Sequence, residues 1–66
     1  MNLILNGAPK TTPAPLTVRG LLEDLGLGNK PVVVELNLRA LFPREFQTTM
    51  LAEGDRIEIV QITAGG

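Results

Sequence analysis

The group in this chain best placed to react is the carboxylate behind two glycines, Gly65-Gly66, at the end of the run Ile57 to Gly66, IEIVQITAGG. Glycine has no Cβ and wide backbone freedom, so a paired-glycine end is thin enough to enter a narrow slot. From Thr63 to Gly66 an extended chain reaches roughly 13 Å at about 3.3 Å per residue, which would put the carboxylate inside a partner while the folded body stays outside. A terminal carboxylate with a pKa near about 3.5 is ionised at neutral pH and is a poor electrophile, so it needs activation from outside. The 66 residues contain no cysteine and no histidine, which excludes disulfides, a thiolate nucleophile, thiolate metal ligation and the commonest general base. Glu23 and Asp24 are adjacent, and neighbouring helical residues do not face one another, so they make no acid–base pair. The expectation is a chain with no catalytic residue and no metal site of its own. Gly66 would be the substrate, Ala64 and Gly65 would give access through their small size, and Thr63 would offer a hydroxyl to the partner.

The rest of the chain must hold that end in place. Its 44% hydrophobic content suits one small folded domain, with residues 62–66 expected as a flexible tail and no room for a separate catalytic domain. Six basic and seven acidic residues leave a net charge of -1, with neither sign gathered into a run, so nucleic acid and anionic membrane are not expected partners. Only Phe42 and Phe46 are aromatic, too few for a base-stacking platform. No apolar run approaches a membrane span and no basic flank precedes an apolar signal region, so a cytoplasmic setting is the expectation.

Met1 to Asn6 alternate like a half-buried strand, and Asn6-Gly7 is the strongest hairpin signal in the chain. The returning strand, within Ala8 to Pro15, carries Pro9, Pro13 and Pro15, which cannot donate to a ladder, so it must lie at a sheet edge. Thr17 caps a helix whose Val18, Leu21, Leu22 and Leu25 form one apolar stripe, with Leu16 and Leu21 at staple positions and Gly26 as C-cap. Gly20 lacks a side chain and so would allow close approach to the sheet. Val32 to Leu36 is the clearest strand, with Val32, Val34 and Leu36 inward and Val33 and Glu35 outward. Ala40 to Phe42 make a short strand that Pro43 ends, an irregular stretch follows, and Phe46 or Leu51 returns to the core. Glu53-Gly54-Asp55 turns the chain into a last strand with Ile57 and Ile59 on the core face and Glu58 and Val60 on the other. These elements predict an α+β fold, a small mixed sheet with one helix across a single face.

Taken in order, an amino-terminal strand ending at Asn6, the Thr17-Val18 helix start with Leu21-Leu22, Glu35-Leu36-Asn37, Phe42-Pro43-Arg44 and Glu53 to Val60 leading to Ala64-Gly65-Gly66 resemble the ThiS family of sulfur carriers. This is a branch of the ubiquitin-like β-grasp proteins related to the MoaD carriers, and the resemblance covers nearly the whole chain. It implies that the first and last strands lie side by side in parallel. It also implies that a ThiF-type adenylyltransferase uses ATP to activate Gly66, that a sulfur donor protein converts the adenylate to a thiocarboxylate, and that a ThiG-type thiazole synthase receives the sulfur. An apolar patch beside the tail, with Val60 the first candidate and Val33 the second, would dock the activating enzyme. Phe42-Pro43-Arg44 is assigned no catalytic role; the proline stops a strand and the arginine is solvated. Three other readings stay open: sulfur delivery to molybdopterin or another metabolite, a β-grasp binding module without acyl chemistry, and a protein modifier.

Overall fold

The computed structural model describes residues 1–63. Five strands and one helix occur in the order β1 (Asn2–Leu5), β2 (Ala8–Thr11), α1 (Val18–Asp24), β3 (Val32–Leu36), β4 (Arg39–Leu41) and β5 (Arg56–Gln61). The strands form one mixed sheet ordered β2-β1-β5-β3-β4.

Asn6 and Gly7 form a two-residue turn with φ of 50° and 82°, the conformation that Asn-Gly favours, and it folds β2 antiparallel onto β1. β2 takes the edge that its proline content requires, with Pro9 opposite Ile4. Just past it, Thr12 is buried and its hydroxyl has no hydrogen-bond partner. A buried unpaired hydroxyl costs roughly 1–3 kcal/mol, so Thr12→Val, nearly isosteric, should stabilise the domain by about 1 kcal/mol in urea unfolding.

Helix α1 starts where Thr17 Oγ1 accepts the Gly20 N–H at 3.0 Å. Its end differs by one residue from the sequence expectation: Leu25 is the C-cap and Gly26, at φ 76°, follows it. The Leu27 N–H then reaches the Leu22 carbonyl at 2.7 Å and the Gly26 N–H the Glu23 carbonyl at 3.0 Å, a Schellman arrangement that needs a left-handed residue after the cap. Gly20 does not serve the close approach to the sheet that its missing side chain predicts. A Cβ there would lie 2.7 Å from Leu16 Cδ1, so the missing side chain makes room for the leucine that precedes the cap.

Leu3 of β1, Val34 of β3, and Ile57 and Ile59 of β5 meet Val18, Leu21 and Leu22 of the helix in one buried core. Leu41, Phe46 and Leu51 close its side; both of the last two return to the core. The short strand ends one residue earlier than expected, at Leu41: the next donor to β3 would be Pro43, which has no N–H, while the Phe42 N–H, directed away from β3, bonds Glu45 Oε2 at 2.7 Å. The stretch that follows is one 3-10 turn, Pro43–Glu45, and Arg44 lies over the Phe42 ring at 4.6 Å from its centroid, a cation–π contact where only a solvated arginine was expected.

At the sheet end where β5 begins, the turn into β5 is tied to its neighbours. Asn37 Nδ2 donates to Asp55 Oδ1 at 3.0 Å, Asn37 Oδ1 accepts the Arg56 N–H at 3.0 Å, and Asp55 Oδ2 accepts the Ala52 N–H at 2.8 Å. Beside it, Glu53 Oε1 accepts the Asn2 N–H at 2.9 Å, and this bond to the backbone holds the fully exposed Glu53 carboxyl below its ordinary pKa. A lowered carboxyl pKa contributes stability above the unfolded-state value and loses it as pH falls through the folded one. Glu53→Gln, which keeps the acceptor but removes the titration, should therefore flatten the acid limb of the stability–pH curve below the ordinary glutamate range, read by thermal unfolding.

Candidate functional site

β5 is the central strand and leads to the carboxyl end. On one side it runs parallel to β1, with Ile4 opposite Arg56 and Leu5 opposite Ile57; on the other it runs antiparallel to β3 from Leu36–Ile57 to Val32–Gln61. The parallel neighbour relation, implied by the family resemblance and not by hydrophobic period, is present.

Two residues decide where β5 leaves the sheet. The β1 chain turns away at Asn6-Gly7, but the Asn6 side chain continues its pairing, accepting the Ile59 N–H at 2.7 Å and donating to the Ile59 carbonyl at 3.3 Å. On the β3 side the last bond runs from the Ile62 N–H to the Pro31 carbonyl at 2.9 Å. Proline has no N–H to return, so the ladder ends there. Thr63 is exposed just beyond; Ala64, Gly65 and Gly66, the other residues expected to carry the chemistry, lie outside the described residues.

Val33 and Val60, separate candidates in the sequence, sit directly opposite each other across β3 and β5. Both are on the face away from the helix and both are exposed, at 46% and 62%. Continuing the β3–β4 register by one residue puts Phe42, 60% exposed, beside Val33, and Ile62 follows Val60 toward the tail with 49% of its surface open. An apolar row thus crosses the open sheet face next to the chain's exit. Phe42 was missed from the sequence because its place in the row depends on the β3–β4 register. Next to the row, Glu35 lies opposite Glu58, a like-charged ladder pair that gives this face a negative border. Among the described residues no cluster of three His, Cys, Asp or Glu side chains could hold a metal, no pocket forms, and no helix is long and apolar enough to cross a membrane.

The model of the ThiS family matches residues 3–66. The chain belongs to the ThiS family. The sulfur carrier protein ThiS of Thermus thermophilus is 36% identical over 62 residues, covering 94% of this chain and 95% of that protein. The crystal structure of the thiamine biosynthesis protein ThiS from Geobacter metallireducens superposes with a TM-score of 0.84 at 36% identity, over 100% of both chains, so the fold is the ubiquitin-like β-grasp. A thiazole synthase of Paramagnetospirillum magneticum is 35% identical over all 66 residues, and this chain spans 20% of that protein's length. As a ThiS-family chain, the protein is a sulfur carrier of thiamine biosynthesis.

Proposed function

We propose that the carboxylate of Gly66 is the atom group that carries the sulfur, and that the open sheet face docks the enzyme that activates it. The observation that carries this reading is the ThiS-family match extending through Gly66, behind a strand whose last hydrogen bond among the described residues is made by Ile62. A ThiF-type adenylyltransferase binds ATP, and a Gly66 carboxylate oxygen attacks the α-phosphorus as pyrophosphate leaves. A sulfur nucleophile at the sulfide oxidation level, supplied by a donor protein, then attacks the acyl carbon. AMP departs with the bridging oxygen and leaves a thiocarboxylate. The chain's part in this reading is presentation, since its sequence holds no cysteine or histidine to serve as nucleophile or general base.

A ThiG-type thiazole synthase is the recipient this reading favours, supported by the relative in which a segment like this chain forms part of a thiazole synthase. The row of Phe42, Val33 and Val60, bordered by Glu35 and Glu58, fits an activating enzyme whose docking surface is apolar with a basic margin.

Incubation with a ThiF-type enzyme, ATP and a sulfide source, followed by intact-protein mass measurement, tests the chemistry. One oxygen-to-sulfur exchange confined to Gly66 is expected; an unchanged mass beside an active control carrier would overturn it and leave a binding module. Val33→Asp with Val60→Asp puts two charges into the docking row, so kcat/KM for adenylation should fall at least about tenfold while the far-UV circular dichroism is retained.

A further inference from the structure

We infer that Asn6 is a positioning residue for the carboxyl-terminal segment, acting through Ile59 and resting on the carrier reading above. β1 pairs with β5 only as far as Leu5–Ile57 by backbone, after which the chain must turn to start β2. At that point the side-chain amide of Asn6 supplies one acceptor and one donor to Ile59, a residue 53 positions away, and so stands in for the next residue of β1. Asn6 can do this because it occupies a left-handed conformation, φ 50°, which asparagine tolerates better than other residues with side chains.

Beyond Ile59, on the β1 side, no backbone of β1 or β2 follows β5, because the turn has led the chain away. Among the described residues the Asn6 amide is therefore the final anchor on that flank, as Pro31 is on the other. Val60 and Ile62, which bracket the exit, follow directly from the anchored residue. Loosening Ile59 frees the root of the tail and the docking residue Val60 together. A partner that must order both then meets an added entropic cost on binding.

The informative substitution is Asn6→Gly. Glycine accepts the positive φ without strain and still permits the Gly7 turn; its extra unfolded-chain freedom lowers stability at all sites alike, so a loss confined to the end of β5 belongs to the missing amide. Asn6→Asp is the conservative partner, keeping the acceptor for the Ile59 N–H while losing the donor to its carbonyl. In native-state amide exchange, Asn6→Gly should speed exchange at Ile59, Val60 and Ile62 by roughly tenfold relative to Leu3 and Val34, with Asn6→Asp in between. With a ThiF-type enzyme and ATP, KM for the Asn6→Gly carrier should rise by roughly tenfold with kcat within about twofold, and Asn6→Asp should recover part of it. Equal acceleration at every amide would mean a merely global role, and an unchanged KM with local fraying would mean that the anchor does not serve the tail; either overturns the inference. If the unsubstituted chain is not adenylated, the carrier reading itself fails, and that result is separate from the exchange measurement.

Discussion

Removing Gly66 should lower thiocarboxylate formation at least about 100-fold and leave the fold intact. The shortened chain still ends in a glycine carboxylate, that of Gly65, so the chemical group is unchanged and only its reach differs. One residue of extended chain is about 3.3–3.6 Å, and misplacement of a reacting group by even about 1 Å can cost roughly 100-fold, so a loss of at least about 100-fold in the rate of adenylation is expected. Folding should not notice, because among the described residues the last of the core is Ile59 and the last hydrogen bond on the β3 side is made by Ile62. Thermal unfolding and intact-mass assays on the same sample check both halves. A shortened chain that unfolds, or one that is still converted at near the original rate, would contradict the division between body and reactive end.

Ile57→Ala has the opposite profile, a large loss of stability with the reactive end untouched. Ile57 is completely buried in the middle strand, paired to Leu5 on one side and Leu36 on the other. Truncating a buried isoleucine to alanine costs about 2–5 kcal/mol, through lost burial and the cavity left behind. At roughly 0.05–0.15 kcal/mol per residue, a domain of this size holds only about 3–10 kcal/mol in total. Much of the population should therefore unfold at 37 °C on the conditions of the assay, with the urea midpoint falling steeply. Val60→Ala, on the same strand but exposed on the outer face, should change the unfolding free energy by about 0.5 kcal/mol or less. Similar losses for the two would show that the inward and outward faces of β5 had been assigned wrongly.

The reason so much of the fold can be anticipated is that several positions allow little else. Asn6-Gly7 wants positive φ at both residues, and takes it. Pro9 cannot lie inside a sheet, and sits in its edge strand. Thr17 has the acceptor oxygen that the first turn of α1 needs, and takes the Gly20 N–H. The strand faces follow from alternation, so Val34, Ile57 and Ile59 are buried and Val33 and Val60 exposed without any knowledge of neighbours. Where local preference is weak, the outcome is less legible. Gly20 turned out to make room for Leu16 and not for the sheet, because a vacant Cβ says that something comes close but not what. β4 runs one residue earlier than expected, Arg39–Leu41, because its register is set by the two-residue turn at Asn37 and Leu38, both at positive φ, a conformation that periodicity does not contain.

For the site, the sequence by itself set the expectation: a Gly65-Gly66 pair, no cysteine or histidine in the 66 residues, and outward-facing valines on the strands before the pair. It determined these because residue type and strand period are local properties. Only the tertiary structure decided that Val33 lies against Val60, that Phe42 joins their row, and that Asn6 and Pro31 bracket the point where β5 leaves the sheet. Each of these depends on the register between segments up to 53 residues apart, and register is set by the shared core that buries Leu3, Val34 and Ile57 together, not by any one stretch of chain.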